Sequence, residues 1–379
     1  MISTLPMKME KPLSIFKKAY EEGLQKDTSN FESWINKFGL NSILLDKFVN
    51  SVEDIELFFN RNQEIERIAQ FTGVQERQKK FGYVNLVGAK GIGKTSLLNV
   101  IFKLYNQINP NSVVSISSEK FAEYSSDNSG EDEEPIFYFE VFLEELKDKK
   151  LILIDECEKD FLKMFYNIKE FGSLGDKFFI LSWRPIHFNK FKIEYQDKLN
   201  LEECILLKPF DKSEISELLK TRLKKLKIDN KESISPFNEE SLSLISELSQ
   251  GIPKLALSLS YKAIKKSFHL NNEVVSRREV LNVYKEEGFE EVQEFIEKCT
   301  PITRKILKTV LLDSYPKGVS IDKIAEEVDL DRTTVFYHLQ KMRNISLLNE
   351  NYSKKTVYFL IKEDFLPLIE KYLWESRGI

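Results

Sequence analysis

The sequence contains Gly88-Ala89-Lys90-Gly91-Ile92-Gly93-Lys94-Thr95, a full match to the pattern G-x-x-x-x-G-K-[ST]. The apolar run Tyr83-Val84-Asn85-Leu86-Val87 comes directly before it, and residues 95–104 have helical apolar spacing. In a strand, glycine-rich loop and helix in this order, main-chain N–H groups point inward at a phosphate and the helix presents its partial positive charge. The stretch therefore predicts a phosphate-binding loop in an α/β domain, and we call residues 88–95 the phosphate loop.

The individual positions of the phosphate loop predict individual roles. Glycines permit the tight main-chain turn. The Lys94 ammonium group is expected on the β- and γ-phosphates of ATP, which also makes it a candidate catalytic residue, and the Thr95 hydroxyl is expected to bind Mg²⁺. The predicted nucleotide contacts are Gly88, Ala89, Lys90, Gly91, Ile92, Gly93, Lys94, Thr95 and Ser96.

A second motif, Leu151-Ile152-Leu153-Ile154-Asp155-Glu156, places two acids directly after four apolar residues. Ligands of open α/β sheets bind at the carboxyl ends of the strands, so Asp155 is expected to hold Mg²⁺ through its water shell. Glu156 is the candidate catalytic residue that polarises an attacking water. Together the two motifs predict ATP and Mg²⁺ as cofactors and a slow ATPase activity.

The remaining apolar patterns predict the architecture around these motifs. Short apolar runs bounded by charge, at 113–116, 151–154 and 178–181, are typical of parallel strands buried on both faces. From residue 212 to about residue 266 the spacing becomes helical, and Gly251-Ile252-Pro253 separates two helices. These patterns predict an α/β fold in which a parallel-sheet P-loop NTPase domain is followed by a helical lid.

Residues 301–361 have the order helix, helix, recognition helix, strand, turn, strand, which predicts a winged helix. Asp331 is the expected N-cap of the recognition helix, and His338 is expected to be a packed or capping residue. Val335, Leu339 and Met342 recur at helical spacing and should face the core. The predicted domains are an N-terminal helical segment (1–52), the P-loop ATPase domain (53–208), the lid with a connecting helix (209–298) and the winged-helix domain (299–379).

The opposite face of the recognition helix and the predicted wing tip are basic and polar. Between residues 331 and 355 five basic residues stand against two acidic ones, a net charge of +3. Phosphate contacts from such a patch would give salt-dependent binding of duplex DNA. The candidate DNA-binding residues are Arg332, Thr333, Tyr337, Lys341, Lys354 and Lys355.

The sequence resembles the AAA+/STAND group of P-loop ATPases, most closely its archaeal-type members, from about residue 55 to residue 265 and more loosely beyond. Phe58-Phe59-Asn60-Arg61-Asn62-Gln63-Glu64 is similar to their F-x-x-R-x-x-E segment, which implies that Arg61 lies near the adenine and ribose. Ile180-Leu181-Ser182-Trp183-Arg184 resembles their sensor strand, which implies that Arg184 senses the γ-phosphate. Gly251-Ile252-Pro253 resembles their G-x-P lid motif, which implies that Pro253 packs near the base.

Two positions depart from the pattern of that group. Lys254 stands where AAA+ proteins often have arginine, and Ser182 stands where they usually have asparagine. A lysine is a point charge in place of a bidentate fork, so a γ-phosphate contact from the lid does not follow. Arg184 is either the expected sensor or a surface charge. No residue is identifiable as an arginine finger.

Composition limits the other classes of function. The formal net charge of −4 gives no global attraction to nucleic acid or to an anionic membrane, so DNA binding must be local. The three cysteines are dispersed, which favours a reducing compartment over a disulfide framework. No stretch approaches the ~20 apolar residues of a membrane span, and we expect a cytoplasmic protein.

Three hypotheses of function remain open on the sequence. In the first, ATP controls a winged-helix module that binds duplex DNA. In the second, the chain is a STAND-type signalling or assembly ATPase whose winged helix is purely regulatory and whose partners are proteins, with nucleotide-dependent self-association. In the third, it is a replication-initiator-like AAA+ protein.

Overall fold

The structure is a computed structural model and describes residues 28–41, 45, 48, 55–117, 146–157, 177–195, 204–228, 233–313, 318–353 and 356–375. Most of the predicted N-terminal segment 1–52 lies outside these ranges. Lys354 and Lys355, the predicted wing tip, lie outside them as well.

A five-stranded parallel sheet forms the centre of the first domain, as predicted. The strands lie in the order β2–β3–β4–β1–β5, and each neighbouring pair is parallel. Strand β4 therefore lies between β1, which leads into the phosphate loop, and β3, which ends in the two acids. The strands are β1 (Gly82–Val87), β2 (Val113–Ser117), β3 (Leu151–Cys157), β4 (Phe178–Trp183) and β5 (Cys204–Leu206).

Helices cover both faces of this sheet, which explains why its strands are apolar throughout. Leu153 and Ile180 pack with Leu97 and Ile101 on one face, and Ile154, Leu181 and their neighbours pack around Trp183 and Phe191 on the other. The first four described helices are α1 (Thr28–Lys37), α2 (Asn62–Gln78), α3 (Lys94–Ile108) and α4 (Pro185–Tyr195).

Between β5 and the winged helix the described residues form five helices, which include the predicted lid. Asp211 and Asn238 form capping boxes at the starts of α5 and α6, and Pro253 begins α7, where a missing N–H group costs nothing. Helix α1 packs on this lid, since the Trp34 indole donates to the Asn272 carbonyl at 3.2 Å. The five helices are α5 (Lys212–Leu226), α6 (Glu239–Leu248), α7 (Pro253–His269), α8 (Arg277–Glu286) and α9 (Phe289–Glu297).

The C-terminal module is a winged helix, as predicted. The Asp331 side chain accepts from the Thr334 N–H and caps the recognition helix, and Val335, Leu339 and Met342 are buried. A short strand, β6, completes a β6–β8–β7 antiparallel sheet. Its elements are α10 (Pro301–Asp313), β6 (Val319–Ser320), α11 (Ile321–Val328), α12 (Arg332–Asn344), β7 (Leu348–Ser353), β8 (Thr356–Ile361) and α13 (Leu366–Glu375).

The lid and the winged helix share one continuous apolar core. At their junction the rings of Phe289 in α9 and Phe365 before α13 meet edge to face, with centroids 5.4 Å apart. The two modules thus form one packed unit beside the sheet domain. Among the helices of the described ranges, none is sufficiently long and apolar to cross a bilayer.

Candidate nucleotide site and nucleic-acid interface

The two predicted metal-binding residues meet at the carboxyl edge of the sheet. The Thr95 hydroxyl donates to the Asp155 carboxylate with an Oγ1–Oδ2 distance of 2.6 Å. Thr95 is in the first turn of α3 and Asp155 is at the end of β3, and the structure brings them together across the intervening β4. A hydroxyl and a carboxylate at this spacing are oxygen donors of the kind that Mg²⁺ takes beside phosphates, so the site fits a nucleotide-bound Mg²⁺ ion.

Lys94 is buried in the phosphate loop itself. Its ammonium group donates to the main-chain carbonyls of Gly88, at 2.8 Å, and Ala89, at 3.2 Å. Burial lowers the pKa of Lys94, while the negative charges of Glu370 and Asp155 raise it. The ammonium group therefore lies at the base of the loop, where it is bound to two of the loop's own carbonyls.

Glu156 occupies a strained position at the end of β3. Its φ of 54° is in the left-handed region, which costs a non-glycine residue about 1–2 kcal/mol. The pairing of β3 with β4 shifts register between Ile154 and Cys157, and the Glu156 N–H donates to the Asp155 carboxylate at 3.0 Å. The resulting bulge exposes the Glu156 side chain, which leaves its carboxylate accessible to water.

The end of β4 supplies a cluster of buried polar groups. Arg184 is only 8% exposed, so the alternative of a surface charge is wrong. Ser182 Oγ, Arg184 Nη2 and His187 Nε2 are buried without a hydrogen-bond partner in the described part of the chain. Burial, with Arg184 and Lys190 nearby, lowers the pKa of His187 to about 3. Unpaired buried polar groups are rare because they cost free energy. The Arg184 guanidinium is positively charged and has Nη2 unpaired within the described residues, which suits an anionic ligand such as a phosphate.

A cavity of about 510 Å³ adjoins the phosphate loop on the side of β5. Arg61 is buried behind its wall, where its guanidinium lies 4.2 Å over the Phe210 ring and donates to the Lys208 carbonyl at 2.8 Å. Burial lowers the pKa of Arg61, against the raising effect of Glu64. Arg61 thus supports the wall of this cavity, and its predicted place near the adenine and ribose stays a prediction. The lining residues are Gly88, Ala89, Ile92, Pro185, Leu206, Leu207, Lys208, Pro209, Phe210, Gln250 and Lys371.

The lid contacts the phosphate loop at the predicted G-x-P motif. The Lys254 N–H, directly after Pro253, donates to the Gly91 carbonyl at 3.1 Å. Gly91 has a φ of 78°, and a Cβ there would lie 2.8 Å from the Lys254 Cβ. The Lys254 ammonium group itself points to Glu363, 3.8 Å away. The lid is therefore joined to the loop by main chain, and Pro253 fixes the start of the helix that makes this contact.

Glu370 in α13 is a site residue that the sequence did not indicate. It is 2% exposed, accepts from the Lys90 main-chain N–H at 2.6 Å, and forms an ion pair with Arg184. Glu363, just before α13, pairs with the Lys90 ammonium group at 3.0 Å. The apolar spacing of Leu366, Ile369 and Leu373 is a signal that could have predicted helix α13. No sequence pattern indicates that this helix reaches the phosphate loop.

The predicted DNA-facing residues of α12 lie together on its exposed side. Arg332, Thr333, Tyr337 and Lys341 are all exposed, while His338 is packed with its Nδ1 2.9 Å from the Thr303 hydroxyl, as expected. The Lys341 ammonium group lies 4.3 Å over the Tyr337 ring, and Arg332 pairs with Asp322 at 3.0 Å. A groove of about 670 Å³ separates α12 from the wing, lined by Ile321, Asp322, Arg332, Thr333, Phe336, Thr356, Val357 and Phe359.

Comparison with known proteins supports this architecture. The Orc1 protein of Aeropyrum pernix, solved in complex with DNA, is similar over 89% of this chain and 97% of its own, with 15% identity and a TM-score of 0.52. Cdc6p from Pyrobaculum aerophilum is similar over 88% of this chain and 98% of its own, with 16% identity and a TM-score of 0.51.

A relative found by sequence similarity covers a comparable share of the chain. An uncharacterised HTH-type transcriptional regulator from Methanocaldococcus jannaschii is 22% identical over 92% of this chain and 97% of its own length. No family model matches the chain. At these identities the likeness concerns the fold, and the predicted order of a parallel-sheet P-loop domain, a helical lid and a C-terminal winged helix is confirmed at that level.

Proposed function

We propose that this chain is an ATP-binding and ATP-hydrolysing switch whose nucleotide state controls a winged-helix module that binds duplex DNA. The observation that carries the proposal is the contact between the two modules at Lys90. This phosphate-loop residue is held by Glu363 and Glu370, which follow the wing. A change at the phosphates therefore acts directly on the winged-helix domain.

The chemistry follows from the residues at the carboxyl edge of the sheet. When bound, ATP with Mg²⁺ supplies the phosphoryl group to be transferred and the charge that the site neutralises. Thr95 and Asp155 would hold the metal, Lys94 would contact the β- and γ-phosphates, and Arg184 would offer a donor to the γ-phosphate. Glu156 orients a water molecule and accepts its proton. The proposed turnover is slow.

Three features support DNA as the partner of the winged helix. The candidate residues Arg332, Thr333, Tyr337 and Lys341 form an exposed face beside an open groove. The Aeropyrum pernix protein with this fold was solved with DNA, and the methanogen relative is named an HTH-type regulator. Duplex DNA binding, measured by fluorescence anisotropy with ATP and with ADP, tests the proposal. Negligible affinity at low salt with both nucleotides would refute it.

A second candidate is the STAND-type signalling or assembly ATPase, and the contact of α13 with the phosphate loop favours it, since it assigns the winged helix a regulatory role. This candidate requires nucleotide-dependent self-association without DNA affinity. Light scattering under ADP, ATP and a non-hydrolysable analogue separates the two. The replication-initiator-like alternative shares the order of P-loop domain, lid and winged helix, and it requires preferential binding to a repeated DNA sequence.

A further inference from the structure

The carboxylate of Glu370 is bound by groups that are suited to a phosphate. One oxygen, Oε2, accepts from the Lys90 main-chain N–H at 2.6 Å, and the other, Oε1, accepts from Arg184 Nε. Main-chain N–H groups of a glycine-rich loop before a helix form an anion site. The guanidinium fork of arginine can donate to two oxygens of a carboxylate or of a phosphate. Glu370 thus occupies donors that a bound triphosphate would also use.

Further contacts hold α13 in this place. Glu363 reaches the Lys90 ammonium group at 3.0 Å, and the Lys371 ammonium group donates to the Gln250 carbonyl in the lid at 3.0 Å. Lys371 also lines the cavity beside the phosphate loop. The helix therefore bridges the loop and the lid, with the buried Glu370 carboxylate at the phosphate donors.

We propose that helix α13 is an internal competitor for nucleotide, in which the Glu370 carboxylate takes the place of a phosphate group. This rests on the proposed nucleotide site. The phosphates and Glu370 are both anionic and share the Lys90 N–H and Arg184, so each excludes the other. Binding of nucleotide displaces Glu370, and α13 leaves the loop together with the winged-helix core that it belongs to. By thermodynamic linkage, a ligand that binds the released winged helix raises nucleotide affinity by the same factor by which nucleotide raises the affinity for that ligand.

The competitor is tested by removing the charge of Glu370 while keeping its shape. Glu370→Gln in the full-length chain should bind a fluorescent ATP analogue about tenfold or more tightly than the parent, because the apparent affinity of the parent is reduced by the fraction in which the site is free. The matched control is Asp364→Asn, which removes the same charge from an exposed neighbouring position. Its affinity should equal that of the parent.

A second measurement needs no variant. Hydrogen exchange of residues 366–375 should rise when ATP is added to the parent protein, because α13 loses its docking contacts. In Glu370→Gln the exchange of this helix should be raised before ATP is added. Equal nucleotide affinity of parent and Glu370→Gln, with α13 exchange unchanged by ATP, would overturn the competitor while leaving the nucleotide site intact.

Other outcomes separate the two proposals. A folded Glu370→Gln protein that binds nucleotide more weakly than the parent would make Glu370 a supporting residue of the occupied site, which contradicts competition. Absence of binding in the parent, with binding in Glu370→Gln, supports it. Absence of binding in the parent, Glu370→Gln and Asp364→Asn alike would overturn both the competitor and the proposed function.

Discussion

The Thr95 hydroxyl lies 2.6 Å from the Asp155 carboxylate, although 60 positions separate the two residues. This contact joins the two motifs into one candidate metal site. Asp155→Asn should remove the dependence of ATP affinity on Mg²⁺, because an amide is a far weaker ligand than a carboxylate for this hard cation. Titration of ATP with Mg²⁺ and with a chelator measures the dependence. A variant that responds to Mg²⁺ as the parent does would show that the metal is held elsewhere.

Lys94→Ala removes the ammonium group at the base of the phosphate loop. Tight ATP binding should be lost, while the fold persists, since the group contacts only the carbonyls of its own loop in the described structure. Calorimetric titration measures the affinity, and circular dichroism checks the fold. Unchanged affinity would show that the nucleotide does not lie on this loop.

Glu156→Gln separates binding from turnover. The amide cannot accept a proton, so phosphate release should fall by about 10²-fold or more while ATP affinity is retained. The side chain is exposed, so stability should be little changed. Turnover at the parental rate would assign water activation to another group.

Gly251→Ala should destabilise the protein strongly. Gly251 has a φ of 78°, and a Cβ there would lie 2.1 Å from the Phe210 carbonyl oxygen. The left-handed conformation alone costs alanine about 1–2 kcal/mol, and the clash adds to it. Gly73→Ala is the matched control, because that helical position has no atom within 4 Å of the added Cβ and should become more stable by about 0.5–1 kcal/mol. Equal thermal stability of the two variants would contradict the close approach of Gly251 to the Phe210 carbonyl.

The candidate DNA-binding residues of α12 should determine how steeply DNA affinity depends on salt concentration. Replacing Arg332 and Lys341 with alanine should weaken binding to all duplex sequences and reduce the slope of log K against log salt by roughly 0.9 for each lost phosphate contact. ATP affinity should be unchanged, since both side chains are exposed on α12. Arg277→Ala in the lid, also exposed, is the control. An unaltered slope together with weaker ATP binding would favour the regulatory candidate.

His187 makes stability depend on pH. Its pKa is lowered to about 3 by burial, with Arg184 and Lys190 adding to the shift, so the unfolded chain binds a proton that the folded chain does not. Above about pH 6.5, the ordinary histidine pKa, neither state binds this proton and the folded state keeps its full stability. As the pH falls toward 3, the unfolded state gains the proton and the folded state becomes less stable. Between pH 7.5 and 5.5 the free energy of unfolding should fall by about 1 kcal/mol from this group. His187→Phe should remove that fall, whereas His269→Gln, at an exposed position, should not.

Local patterns were enough to predict the sheet, the lid and the winged helix. The phosphate loop and the run before Asp155 are signals within a few residues of each other, and parallel strands bring their carboxyl ends together. The Val335, Leu339 and Met342 spacing likewise predicted which face of α12 is buried.

Contacts between residues that are far apart in the chain could not be predicted from the sequence. The bulge that places Glu156 in the left-handed region depends on the pairing of β3 with β4, and the burial of Arg184 depends on Glu370, 186 positions away. A glutamate in an amphipathic C-terminal helix has no sequence feature that distinguishes a solvated side chain from one placed at the phosphate loop.

The most direct test of nucleotide control is the affinity of the Glu156→Gln protein for duplex DNA at low salt, measured by anisotropy with ATP and with ADP. This variant should hold ATP long enough for equilibrium. We expect salt-sensitive binding whose affinity differs by about tenfold or more between the two nucleotides, a coupling of ordinary allosteric size. The same affinity with both nucleotides, or none with either, would contradict it.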